Sequence, residues 1–206
     1  MIIAIDGPAA AGKGTLARRI AAALGLPYLD TGLLYRAVGR RVLDAGGDPA
    51  DPVAAKAAAE SLTAADLARG DLRDGAASKA ASQVASIPAV RAALLGFQRH
   101  FGDVHGAVLD GRDIGTIIFP DADIKLFVTA SLEARAGRRF AELRAKGDDV
   151  SLAAVCDDLA ARDDADAKRA AAPLVAAADA ILFDTTAMDA DAAFARALAL
   201  IKAKLG

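Results

Sequence analysis

Met1-Ile2-Ile3-Ala4-Ile5-Asp6-Gly7-Pro8-Ala9-Ala10-Ala11-Gly12-Lys13-Gly14-Thr15 opens the chain. A short aliphatic run breaks at Asp6-Gly7-Pro8, and helical periodicity starts at Gly14 and runs to Leu24. The order is buried strand, glycine-rich turn, helix. Glycines in such a turn let successive backbone N–H groups converge at a helix N-terminus, where unpaired donors and the helix dipole favour phosphate oxygens. Lys13 adds a point charge for the β and γ phosphates. The generic loop carries Ser or Thr directly after the lysine. Here Gly14 intervenes and the hydroxyl arrives at Thr15.

Further buried strands are expected at Leu26–Leu29, Ala107–Leu109, Ile124–Val128 and Ala180–Phe183. Segments of helical period separate them: 34–44, 90–101, 132–145, 152–161 and 190–204. This alternation predicts an α/β fold, a mostly parallel sheet with helices on both faces. Ligands of such sheets bind beyond the carboxyl ends of the strands. The segments Asp6–Gly12, Asp30–Gly32, Asp110–Gly115 and Asp184–Thr186 all fall there. Residues 53–88, alanine-rich and broken by Gly70 and Gly75, and residues 147–173 depart from the alternation and read as helical excursions from a single domain, 1–206.

The 206 residues suit one α/β domain. Much of the 54% apolar content is alanine, so the larger aliphatics must carry the packing. A net charge of −2 without a basic block argues against a nucleic-acid polymer. The lone Cys156 excludes an internal disulfide and reads as a small apolar helix residue. No leader-like segment precedes the first strand, and the apolar stretch 170–183 is cut by Pro173 and Asp179, short of the ~20 residues of a membrane helix. The expectation is a soluble, cytoplasmic protein.

Three further segments carry candidate chemistry. Asp30-Thr31-Gly32-Leu33-Leu34-Tyr35-Arg36 ends the second strand and enters a helix, with Thr31 as a candidate cap. Asp110-Gly111-Arg112-Asp113-Ile114-Gly115-Thr116 sets two carboxylates and an arginine where a buried strand emerges, a placement suited to bidentate grip of a phosphate. In the helix from Leu152, the stripe Leu152, Val155, Leu159 continues at helical spacing into Arg162, Asp166 and Arg169. Charges on the apolar face point inward, to a ligand cleft. The plainer alternative is a solvated helix end, with Ala165–Ala167 frayed. His100 and His105 read as helix-end and loop residues without a metal or acid–base role.

Gly12-Lys13-Gly14-Thr15 resembles the loop of nucleoside monophosphate kinases. Together with Asp30-Thr31-Gly32, Tyr35-Arg36, Ala81-Ser82-Gln83-Val84-Ala85, Asp110 to Thr116, Phe119-Pro120-Asp121-Ala122, Arg162 to Arg169 and Ala172-Pro173-Leu174, it resembles bacterial cytidylate kinases, in order and over nearly the whole chain. The resemblance implies a P-loop kinase fold with a five-stranded core, a small acceptor-binding insert at about 53–88 and a lid at about 147–173. It implies transfer of the γ-phosphoryl group of ATP to CMP, and to dCMP, with Mg²⁺, by a monomer. Gly7, Pro8, Ala9, Ala10, Ala11, Gly12, Lys13, Gly14 and Thr15 would hold the ATP phosphates, with Thr15 also on the metal ion and Arg138 and Arg139 approaching from the lid side. Arg36, Arg112 and Arg169 would grip phosphates, and Lys13, Arg112, Arg162 and Arg169 would stabilise the transferred group. Ser82, Arg91 and Asp110 would read the cytosine edge. Tyr35, Arg162 and Asp166 would address ribose or acceptor phosphate, Asp113 would support phosphate or hydroxyl positioning, and Thr31 would line the acceptor site. Leu62–Lys79 is nearly free of β-branched residues, so a reduced insert sheet is expected, and Ala165 and Ala167 leave the lid less positive than the family pattern. The rival readings are another small-molecule kinase, such as one acting on shikimate, and a non-catalytic nucleotide sensor.

Overall fold

A computed structural model describes residues 1–205. Five strands, β1 (Ile2–Asp6), β2 (Tyr28–Asp30), β3 (Ala107–Gly111), β4 (Ile124–Thr129) and β5 (Ile181–Asp184), form one sheet in the order β2-β3-β1-β4-β5. Every pairing is parallel. Around it stand α1 (Lys13–Leu24), α2 (Thr31–Asp44), α3 (Pro52–Glu60), α4 (Ala64–Leu67), α5 (Gly75–Ala85), α6 (Pro88–His105), α7 (Leu132–Ala145), α8 (Leu152–Lys168) and α9 (Ala190–Leu205). The expected alternation is present, with α6 and α8 longer than the periodicity indicated, α7 as expected and β2 shorter. His105, read as a loop residue, is the last residue of α6.

Strand alternation sorts the core. Ile3 and Ile5 of β1 face one way, with Leu126 and Val128, against Leu16 and Ile20 of α1 and Ala197 and Ile201 of α9. Ala4 and Leu109 face the other way, against Ile114 and Ile118. The largest fully buried side chains include Phe183, Ile3, Ile5, Ile20, Leu109, Leu126 and Ile201, so the larger side chains do fill the centre while alanine lets the helices approach.

Residues 53–88 fold as α3, α4, a 3₁₀ turn at Gly70–Arg73 and α5, with no strand in that stretch. Val84 of α5, Val38 and Val42 of α2, Ala55 of α3 and Leu94 of α6 share a second core. A third cluster joins α7 and α8 to the loop after β1 through Ala9, Ala136, Val155 and Leu159. Leu152 does not belong to this stripe and is 49% exposed, because it sits in the first turn of α8, short of α7. The helix is continuous through Ala165–Ala167, so no fraying occurs there. Cys156 is a free, half-buried thiol in α8.

Among the described residues no single helix is long and apolar enough to cross a membrane. The parallel order brings the ends of β1, β2, β3 and β5 to one edge: Asp6 lies opposite Gly111 and Asp30 opposite Asp110. The four polar segments singled out in the sequence therefore share a rim.

Candidate nucleotide site

The donor side is built by the turn between β1 and α1. Gly12 caps α1 in the left-handed region (φ 88°) and supplies no side chain to the helix N-terminus, so the first-turn N–H groups stay free for a ligand. Ala10 is also left-handed (φ 59°), which curves the backbone into a concave row of donors. Lys13 folds back over the loop, its Nζ donating to the Pro8 carbonyl at 2.6 Å. Burial, and then the charge of Arg112, bring its pKa down to about 7. Thr15 projects from the first turn, exposed.

A cavity of about 470 Å³ opens beside the loop, walled by Gly12, Thr15, Arg138, Arg139, Met188 and Ala193. Arg138 is fastened by donation to the carbonyls of Thr185 (2.5 Å) and Met188 (3.2 Å). Thr185 is itself buried and donates to Ala11 O (3.2 Å), so the segment after β5 is tied to the phosphate loop.

Across the rim, positive charge is concentrated and only partly compensated. Arg36 of α2 donates to Leu72 O (3.2 Å) and Ser78 Oγ (2.5 Å), and its pKa falls to about 10 through burial and then through Arg162. Arg162 of α8 is likewise depressed by burial and by Arg112, and its Nε is buried with no hydrogen-bond partner. Arg112 donates from Nε to Asp166 (2.8 Å), and Arg169 pairs with the same carboxylate. Burial alone would raise the Asp166 pKa, but Arg112, Arg169 and Arg162 hold it below the usual range. One carboxylate thus stands among three arginines, with Lys13 close enough to sense Arg112. A buried guanidinium nitrogen left without a partner costs free energy. Guanidinium charge in the cluster exceeds carboxylate charge.

Comparison with known proteins points the same way. The model of the cytidylate kinase family matches residues 3–203. Curated cytidylate kinases of Acidiphilium cryptum, Granulibacter bethesdensis and Paramagnetospirillum magneticum are 66%, 60% and 59% identical to this chain. The alignments cover 98%, 99% and 98% of this chain and 95%, 98% and 98% of those proteins. The chain belongs to the cytidylate kinase family.

Within a cytidylate kinase scaffold, the structure redistributes several of the expected residues. Arg91 of α6 forms an ion pair with Asp113, not with Asp110, and its guanidinium lies 5.6 Å from the ring centre of the buried Tyr35. Asp110 belongs to the opposite neighbourhood: it accepts from Tyr28 Oη at 2.8 Å, and its Oδ2 lies beside Gly14 of the phosphate loop. Burial, followed by the charge of Asp30, raises its pKa to about 6. The expected Ser82–Arg91–Asp110 trio is therefore divided, because Asp110 lies within β3 while Asp113 lies past its end, and the chain turns between them. The Ser82 hydroxyl turns back to Ser78 O (3.5 Å) within α5. Thr31 is not the cap of α2. Asp30 precedes the helix, and the Thr31 hydroxyl donates to Asp110 O at 2.8 Å, fastening α2 to β3. Arg138 and Arg139 sit on α7, outside 147–173.

Tyr28, Met188, Ala193 and Arg135 were not singled out from sequence, and Thr185 was covered only as part of the strand-end segment Asp184–Thr186. Asp6 has a structural duty: its carboxylate accepts from Ile114 N and Gly115 N, both at 2.8 Å, and so holds the wide turn Ile114–Ile118 against β1.

Proposed function

We propose that this chain transfers the γ-phosphoryl group of ATP to CMP, giving CDP and ADP. The observation that carries this reading is the convergence of Arg36, Arg112, Arg162 and Arg169, only partly neutralised by Asp166, on the rim that holds Lys13. ATP fits with its phosphates on the loop Gly7–Thr15 and its nucleoside in the cavity between α7 and the start of α9. The acceptor phosphate fits among the arginines. Arg91, over the Tyr35 ring, and its ion-pair partner Asp113 offer a donor and an acceptor for a cytosine edge, and Asp110 is assigned instead to the donor side. Arg162 and Asp166 remain candidates for the ribose. With Asp166 already engaged by two arginines, a missing 2′-hydroxyl is tolerable, and dCMP is a second acceptor.

Phosphoryl transfer needs positioning and charge neutralisation more than covalent chemistry. Lys13, released from Pro8 O by the triphosphate, neutralises the β and γ oxygens. Arg112, tied to Asp166, and Arg162, with its unpartnered Nε, are assigned to stabilising the group in flight. No cluster of three His, Cys, Asp or Glu fit to cage a metal occurs among the described residues. Mg²⁺ travels mainly on nucleotide phosphates. Thr15 and Asp110 are the protein oxygens available to it, and its chemistry would be to neutralise charge between β and γ phosphates. The chain is assigned as a monomer, and dependence on ATP supports a cytoplasmic setting.

The test is release of ADP with CMP, dCMP, UMP, AMP and shikimate offered in turn. CMP and dCMP should be turned over at least tenfold more efficiently than the others, about 1.4 kcal/mol in transition-state binding. Preference for AMP, UMP or shikimate would refute the acceptor assignment. Nucleotide binding without turnover would favour a sensor.

A further inference from the structure

α8 reaches both sites. Its first half packs Val155 and Leu159 against Ala9 of the phosphate loop and Ala136 of α7. Its second half carries Arg162 and Asp166 into the arginine cluster. Between these stands Asp163, whose carboxylate receives both terminal nitrogens of Arg135, at 3.1 and 2.5 Å.

Arg135 is 5% exposed and its remaining contacts are backbone carbonyls: Nε to Ala130 O at 3.0 Å and Nη1 to Ala9 O at 3.2 Å. Neither Arg135 nor Asp163 lines the donor cavity. A planar fork held on both sides transmits orientation, which a flexible ammonium does not. The carbonyl of Ala9 and the N–H of Ala10 belong to one planar peptide and point opposite ways. Fixing the carbonyl on Arg135 therefore fixes where the Ala10 N–H points, at the left-handed position of the loop (φ 59°).

We infer that Arg135 and Asp163 are positioning residues that couple the two nucleotide sites. An acceptor held by Arg162 steadies α8, Asp163 steadies Arg135, and Arg135 locks the Ala9–Ala10 peptide with its N–H presented to the donor phosphates. The inference rests on the acceptor assignment above. Coupling is reciprocal, so a bound donor tightens the acceptor by the same factor.

The experiment is calorimetric titration of CMP into the full chain, with and without saturating AMP-PNP and Mg²⁺. In the unaltered chain the donor analogue should tighten CMP by about fivefold or more. Asp163→Asn should bring that ratio close to one while CMP affinity in the absence of the analogue stays within about twofold. Turnover should follow, with the KM for CMP raised at saturating ATP. The same charge change at Asp164, which is 59% exposed and pairs with Lys168, should leave the ratio intact. Arg135→Lys, which keeps the charge and loses the fork, should reproduce the loss and serves if Asp163→Asn does not fold. A normal ratio in a folded variant, or no coupling in the parent chain, would overturn the inference alone. Failure of the parent chain to bind CMP at all would overturn the acceptor assignment and this inference with it.

Discussion

Gly7→Ala and Gly12→Ala remove glycines from the same loop, yet the structure assigns them very different costs. A Cβ on Gly7 would lie 1.9 Å from the carbonyl oxygen of Val128 and 3.0 Å from its carbon, at a backbone φ of 145°. Val128 belongs to β4, which is hydrogen-bonded to β1 on one side and β5 on the other, so it has no free direction of retreat. Relief requires opening the parallel ladder at its centre. Overpacking of this kind costs about 1–3 kcal/mol, and the unfavourable backbone about 1–2 kcal/mol more. A Cβ on Gly12 meets nothing within 4 Å and carries only the cost of φ 88°. At about 2–4 °C per kcal/mol for a domain of this size, Gly7→Ala should lower the melting temperature by about 4–20 °C and Gly12→Ala by about 2–8 °C, so that the Gly7 variant melts lower by the overpacking cost alone. Scanning calorimetry of the nucleotide-free proteins measures both. Gly12 lines the donor cavity, so its variant should instead raise the KM for ATP, by about tenfold, a loss of about 1.4 kcal/mol. Equal losses of melting temperature would show that the close approach of Gly7 to Val128 does not govern the loop.

Lys13, brought to a pKa of about 7 by burial, should regain its proton when a triphosphate lies beside it. Because binding raises the pKa of a base, affinity for ATP is highest below pH 7 and declines as pH rises from 7 to 9, and calorimetry at pH 8 should show uptake of nearly one proton; enthalpies independent of buffer would contradict this. Lys13→Ala should abolish transfer with little change in melting temperature, since the loop is shaped by its glycines; retained turnover would remove the loop from the reaction. Asp113→Asn should weaken CMP about tenfold or more, in line with about 1–3 kcal/mol for a buried partner left unpaired, and leave ATP nearly unaffected, whereas Asp110→Asn should act on the donor side; steady-state KM values for both nucleotides would expose the reverse pattern. Arg162→Met should stabilise the nucleotide-free protein by about 1 kcal/mol, raising the melting temperature by about 2–4 °C, while turnover collapses, because the unpaired Nε and the repulsion from Arg112 both disappear. A lower melting temperature would mean that Arg162 is a structural residue.

The phosphate loop was legible from its own residues because its geometry is local: glycines, a strand before them and a helix after them suffice to specify a concave backbone. The α/β class was legible for the same reason, since aliphatic runs and helical periods are properties of contiguous segments. The proposed acceptor side is not local. Arg36, Arg112, Arg162 and Arg169 come from α2, the turn after β3, α8 and the extended residue just past its end, and only the sheet order and the docking of α8 on α7 bring them together. The helical spacing of Arg162, Asp166 and Arg169 showed that they share a face, but not that Asp166 would join Arg112 to Arg169. Asp110 and Asp113 show where sequence stops most clearly. They are three residues apart and chemically identical. Asp110, inside β3, is committed by strand register to Tyr28 and the phosphate loop, while Asp113, past the strand end, is free to turn to Arg91. Spacing along a chain fixes direction only while the backbone stays regular, and the turn between these two carboxylates belongs to the tertiary structure.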